Sequence, residues 1–260
     1  MKYPWLIPLL LSIVLLMLYI FSIESMENGP VTNVPVDIQL VVSRYNEDLE
    51  WLKEEPFNKY PVIIYNKGTN DDFYKPTLLK EIVPLENVGV CVHSFFYHII
   101  NNYNSLSDVT VFLPGSCMDE NKKKKTLTTL MLSEEKKDSV FITGVVNDVK
   151  KSLYDFNIDR WESSNHKNRE LNTSSDLKLS EIRPFGKWFE TEFPDININN
   201  VNYHGIFSVS KTHIHNRSKN SYERLISYVD KENNTEAAHY FERAFLAVFY
   251  PIPENCIYIE

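Results

Sequence analysis

Val36-Asp-Ile-Gln-Leu-Val-Val42 runs straight into Ser43-Arg-Tyr-Asn-Glu-Asp48, and this switch from a mainly apolar, β-branched run to a polar cluster decides the fold. Two further stretches repeat it: Pro61-Val-Ile-Ile-Tyr65 stops at Asn66-Lys-Gly68, and Val109-Thr-Val-Phe-Leu113 stops at Pro114-Gly-Ser116. Strands covered by helices on both faces read as near-continuous apolar runs, and in α/β sheets ligands gather where such strands end. The expectation is a mixed, mostly parallel sheet flanked by helices, with a crevice at its carboxyl rim.

Outward from these strands, Asp48 is placed to cap a short helix through Trp51 and Leu52. Gly68 suits a turn that needs positive φ. Between Asn87 and Asn104, Val92, Phe95, Phe96, Ile99, Ile100 and Tyr103 recur every three or four residues, which predicts a helix crossing from the second strand to the third. Val140–Val146 and Ile206–Ser210 are the fourth and fifth strands, and helices are expected over Tyr222–Val229 and Ala237–Phe249. Lys150 to Asn202 reads as long loops carrying one aromatic island, Phe185-Gly-Lys-Trp-Phe189, which either pins a loop to the core or lines a site.

The chain has 260 residues and a net charge of -8, which argues against a nucleic-acid partner because phosphate backbones demand a concentrated positive face. Lys122 to Lys125 is its one dense basic run, read as a solvated loop or helix start. Tyr3 to Ile23 carries no charge and is long enough to cross a membrane as a helix; a cleaved signal peptide is the competing reading, although the run is long for one and no Ala-x-Ala site follows it. Lys2 lies before it and Glu24 and Glu27 after it, so the positive-inside rule places the remainder in a lumenal or extracellular space, as a single-pass type II protein. The organisation is therefore an anchor at 1–23, a stem at 24–35 and one domain at 36–260. Asn172, Asn216 and Asn233 head glycosylation triplets consistent with that placement. Cys91, Cys117 and Cys256 have no metal-ligand spacing; they are either buried thiols or one disulfide plus one thiol.

Read together, Ser43–Leu52, Tyr65–Gly68, Asn87-Val-Gly89, His98–Tyr103, Val111–Gly115, Tyr203–Ser210 and His239–Phe245 resemble the domain of unknown function 3431 family, which has fungal, protist and viral members. That family is similar to the GT-A glycosyltransferases, Rossmann-like enzymes that pass a sugar from a nucleotide donor to an acceptor. The resemblance implies a nucleotide-sugar donor and a glycan or protein acceptor. Arg44, Tyr45, Asn46 and Asp48 at the end of the first strand then become donor-binding candidates, with Asn66, Lys67 and Gly115 beside them. Arg44 and Lys67 could meet a diphosphate, the first as a planar fork and the second as a point charge; Arg44 could equally be a structural partner of Glu47 or Asp48.

GT-A enzymes usually hold Mn²⁺ or Mg²⁺ with an Asp-x-Asp motif after a central strand. Here that place is Leu113-Pro-Gly-Ser-Cys-Met-Asp119, with the single carboxylate of Asp119 as metal candidate and Pro114 where many relatives resemble Phe-Leu-Gln-Gly. His239 and Glu242 share a helix face at i, i+3. Glu242 is the candidate base for an acceptor hydroxyl, and His239 its assistant or a contact for phosphate or cation. His204, His93 and His98 are secondary candidates, although a lone His on an apolar helix is more often a core residue. Two other classes stay open: an inactive anchored binding or assembly protein, and a glycan hydrolase with Glu242 and Asp119 as paired carboxylates.

Overall fold

The computed structural model describes residues 36–160 and 177–260. The anticipated membrane span, the stem and Asn172 lie outside them. Among the described residues, no helix is long and apolar enough to cross a membrane.

The three quoted stretches are β1 (Ile38–Arg44), β2 (Val62–Asn66) and β4 (Val109–Pro114), all parallel and in register, so that Arg44 stands beside Asn66 and Ser43 beside Pro114. Their polar ends therefore do meet at one rim. Side chains alternate across the sheet. Leu40, Val42, Val62, Ile64, Val111 and Leu113 pack on one face with Leu49, Leu52, Phe57 and Leu130. Val41, Ile63, Phe112 and Phe207 pack on the other with the helices. Covering both faces is what allowed these strands to be apolar throughout.

The main sheet has the order β3-β2-β1-β4-β8. β3 (Leu79–Pro84) pairs in parallel with β2 and was not anticipated. It is an edge strand of half-exposed and exposed residues, so it carries none of the apolar signal of a buried strand. The crossover helix α1 (Val90–Asn102) consequently links β3, not β2, to β4. Val92, Phe95, Phe96 and Ile99 are buried as its periodicity required. The fifth predicted strand is β8 (Phe207–Ser210), antiparallel to β4. The fourth is β5 (Phe141–Val145), which joins β10 (Ile257–Ile259) and β7 (Asn200–Val201) in a second sheet. Paired Val140 and Ser208 backbones bridge the two sheets. A short parallel pair, β6 (Leu177–Lys178) with β9 (Asn234–Thr235), completes the strands.

α2 (Glu120–Lys136) follows β4 and contains the basic run; α3 (Val149–Ser152) is one turn. The aromatic island is a helix, α4 (Phe185–Glu192), rather than part of a loop. Phe185, Trp188 and Phe189 stand at i, i+3 and i+4 and are fully enclosed, with Trp188 edge-on to Phe241 at 5.0 Å. That spacing was visible in the sequence, and the residues pin the segment to the core. α5 (Lys211–Ile214) and α6 (Lys219–Ile226) lead to α7 (Glu236–Val248). Glu236, at the start of α7, is fully enclosed and accepts from Arg183 and the backbone N–H groups of Ile158 and Ser180. All three cysteines are free.

Candidate functional site

Two distinct arrangements occupy the carboxyl rim. The first is built on Arg44, whose side chain has no exposed surface. Its Nε donates to the Glu47 carbonyl at 2.7 Å, and its Nη1 to Asn66 Oδ1 at 2.6 Å, the Asn70 carbonyl at 2.8 Å and the Tyr45 carbonyl at 3.1 Å. The guanidinium also lies 4.0 Å from the centre of the Phe73 ring. With Nε and Nη1 bound by four oxygens and an aromatic face against the plane, while the buried Nη2 makes no hydrogen bond among the described residues, the side chain is a structural knot. Asn66 extends it, accepting from the Gly68 N–H and donating to Asp71.

The knot shapes the loop after β1. Glu47 Oε2 accepts from the backbone N–H groups of Tyr45 and Asn46, at 2.7 and 3.1 Å. Tyr45, Asn46 and Asp48 are exposed on this loop. Asp48 caps no helix: its Oδ1 accepts from the Glu50 N–H in a local turn, Leu49 takes the cap position, and the helix is a 3-10 turn over Glu50–Lys53. Gly115 packs against the Glu47 side chain, whose carboxyl would stand 2.7 Å from a Cβ there and would have to shift to admit one. Gly68 likewise serves close approach and not positive φ, because a Cβ would stand 1.7 Å from the Tyr45 carbonyl oxygen.

The second arrangement gathers α1, α2, α7 and the turn before β8 around Glu242. Its side chain keeps 26 % of its surface. Burial still pushes its pKa up. Arg243, Lys125, Lys122 and the His204 backbone N–H pull the other way. His239 Nδ1 lies 3.8 Å from Glu242 Oε2. Burial, aided by Arg243, lowers the His239 pKa to about 4, so the imidazole is neutral at pH 7.

Lys125 is buried, and its Nζ donates to the Tyr203 carbonyl at 2.8 Å. Lys122 Nζ reaches Ser116 Oγ at 2.8 Å and Asp119 Oδ2 at 3.3 Å. Cys91, in the first turn of α1, has its thiol pushed up to about 12, first by burial and then by Glu242, with Lys67 and Lys122 opposing. Lys67 itself is buried, donating to the carbonyls of Val88 and Val90. Burial brings the pKa of Lys67 and that of Lys125 each down to about 8. His204 and Gly205 both take positive φ, 74° and 64°. Two successive left-handed residues make a sharp turn that aims the His204 N–H at Glu242 and brings Gly205 against Cys91.

Glu242 and His239 thus stand together in a basin with Lys122 and Lys125, Lys67 meets that basin only through Cys91, and Asp119 reaches it through Lys122. Arg44 and Asn66 are enclosed in the neighbouring knot. Of the secondary candidates, His98 is a core residue whose Nδ1 meets the Tyr65 hydroxyl at 3.0 Å, while His93 is buried in α1 near Lys67. The sequence reading passed over Lys122, Lys125 and Cys91. The signal for the two lysines was their i, i+3 spacing at the start of a helix, which puts both on one face.

Asp119 does not suit a divalent cation. Its single exposed carboxylate already has an ammonium 3.3 Å away. Among the described residues, it belongs to no trio of His, Cys, Asp or Glu close enough to share an ion. Of the glycosylation candidates, Asn216 and Asn233 are both exposed, and the amide nitrogen of Asn216 donates to the carbonyls of Phe249 and Pro251.

No curated protein matches the chain. The family described as protein of unknown function (DUF3431) matches residues 40–259, from within β1 to the end of β10 and including the whole basin, and the chain belongs to that family.

Proposed function

We propose that the domain is a GT-A-like transferase that moves a sugar from a nucleotide-sugar donor to a hydroxyl acceptor. The observation that carries this reading is the meeting of a raised carboxyl, Glu242, with Lys122 and Lys125 at the carboxyl rim of the parallel strands. Acid–base chemistry on one side of such a basin and positive charge on the other is what displacement of a phosphate leaving group needs.

In this mechanism Glu242 takes the proton of the acceptor hydroxyl as its oxygen bonds to the anomeric carbon. The bond from that carbon to the diphosphate oxygen breaks, and the leaving oxygen keeps the electron pair. Lys122 and Lys125 offset the charge that develops there, in the place where related enzymes use a metal ion, so no step is assigned to a cation. The exposed loop of Tyr45, Asn46 and Asp48 offers hydrogen bonds to the base and ribose. Arg44 contributes by holding that loop. The neutral His239 orients Glu242 or the acceptor. The membrane anchor and lumenal placement belong to the same proposal.

A second reading, a non-catalytic binding or assembly protein, draws on the missing second carboxylate beside Asp119. A screen of nucleotide sugars with and without Mn²⁺ decides between them, with calorimetry for binding and released nucleoside diphosphate for turnover. Binding with turnover that Mn²⁺ leaves unchanged is expected; absence of binding for every donor would leave the scaffold reading.

A further inference from the structure

A second group of reactive side chains lies outside the basin, and no spacing in the sequence announces it. Asp138 follows α2, His213 belongs to α5, and Cys256 ends a 3-10 turn (Glu254–Cys256) just before β10. One ligand atom from each lies within 4.8 Å of the other two. His213 Nδ1 is 3.5 Å from Asp138 Oδ1, and Cys256 Sγ is 3.7 Å from Asp138 Oδ2. A tetrahedral zinc ion with bonds of about 2.0–2.3 Å separates its ligand atoms by about 3.3–3.7 Å. The two contacts to Asp138 have that spacing, one to each carboxylate oxygen, and the sulfur and the imidazole nitrogen lie within 4.8 Å of each other. A thiolate, an imidazole and a carboxylate also form a donor set suited to a borderline-soft ion and poorly suited to Mg²⁺ or Ca²⁺.

We propose that Asp138, His213 and Cys256 bind Zn²⁺, with water as the fourth ligand. The Asp138 side chain is 40 % exposed, which gives the ion an entry path and the water a place. His213 and Cys256 are buried, so their positions are set by packing before any ion arrives. Ser139 Oγ and Ser210 Oγ lie 2.7 and 3.0 Å from His213 Nδ1. A hydroxyl both donates and accepts, so these groups can release Nδ1 to a metal and turn to the bound water. Along α2, Lys125 of the basin and Asp138 are 13 residues apart, about 20 Å at about 1.5 Å per residue, so the two groups are separate.

The site has a mechanical consequence. β10 has only three residues and lies at the edge of its sheet. An ion on Cys256 would tie the segment entering β10 to the end of α2 and to α5, three places distant in the chain, and would stabilise the folded form in proportion to its affinity.

The test uses the full-length chain, freed of metal with a chelator and then titrated with Zn²⁺ and, separately, Co²⁺. Wild type is expected to bind Zn²⁺ at or below micromolar concentration, to gain thermal stability with it, and to show a thiolate-to-Co²⁺ absorption band. Cys256→Ser should abolish that band and weaken Zn²⁺ binding at least about 100-fold, beyond the usual loss for an outer-shell partner. Asp138→Asn changes an exposed position, so the fold should persist by circular dichroism while Zn²⁺ binding weakens about 10-fold or more. A folded wild type that binds neither ion at micromolar concentration overturns the proposal. So does a Zn²⁺ affinity unchanged by Asp138→Asn, whichever way Cys256→Ser behaves.

Discussion

Glu242 Oε2 and His239 Nδ1 face each other across one turn of α7 at 3.8 Å. With the imidazole held neutral, they are a carboxyl and a neutral ring at pH 7, not an ion pair. Glu242→Gln preserves shape and removes the base. Transfer should fall by about 10²–10⁴-fold with donor affinity nearly unchanged, measured as nucleoside diphosphate release beside calorimetry. Full turnover in the variant would remove Glu242 from the mechanism.

The pH profile of transfer should be bounded on both sides by this basin. Raising of the Glu242 pKa moves the acid limb above the ordinary carboxylate range, because the base must be ionised to act. Lys125 loses its proton near pH 8, so donor affinity should decline as pH rises through about 8. Lys125→Met should weaken donor binding about 10-fold, the loss of one charge-assisted contact, and flatten the alkaline decline. A Kd constant from pH 7 to 9.5 in wild type would contradict this.

Stability should fall on acidification for a separate reason. Burial lowers the pKa of His98 to about 3 and those of His93 and His239 to about 4. These folded values lie below the unfolded value of about 6.5, so the unfolded chain takes up protons first. Their stabilising contribution is complete above about pH 6.5 and is lost as pH falls toward 4, at no more than about 1.4 kcal/mol per pH unit for each histidine. Glu242 acts in the opposite sense, since its pKa is raised. Denaturant midpoints at pH 7, 6 and 5 test the balance, and equal values would contradict it.

Arg44→Ala should cost about 3 kcal/mol, because it strands the acceptors gathered around the guanidinium. Arg44→Lys should recover little of this, since a point charge cannot satisfy a fork of acceptors. Urea unfolding gives the stability. Hydrogen exchange at Tyr45 and Asn46 should rise in both variants, and unchanged protection there would separate Arg44 from the loop.

Gly205→Ala should destabilise the protein by about 1–2 kcal/mol through its left-handed backbone, with a further steric share because a Cβ would stand 2.9 Å from Cys91 Sγ. Adding Cys91→Ala should return only the steric share. A double variant as stable as Cys91→Ala alone would show that the backbone at Gly205 carries no strain.

The elements legible in sequence were those that bury a regular face. β1, β2 and β4 announced themselves because both of their faces are covered, and α1 because one side of it enters the core. β3 stayed hidden because an exposed edge leaves no apolar pattern, and α4 because its short helical period sat inside a polar stretch. In the site, Glu242 and His239 were legible as an i, i+3 pair on a recognisable helix. Lys125 was not, since a basic run looks the same whether solvated or folded inward.

By itself the sequence determined the order of the buried strands and of the helices with a regular apolar face, the parallel core and the polar ends of its strands, since hydrophobic periodicity is a local consequence of which face is buried. Only the tertiary structure decided which polar groups are enclosed and which face a basin. It turned Arg44 and Asn66 into a loop support, gathered Lys122, Lys125 and the strained His204 turn around Glu242, and brought Asp138, His213 and Cys256 together. Burial and charge proximity are properties of chain segments meeting in space, and no local pattern encodes them.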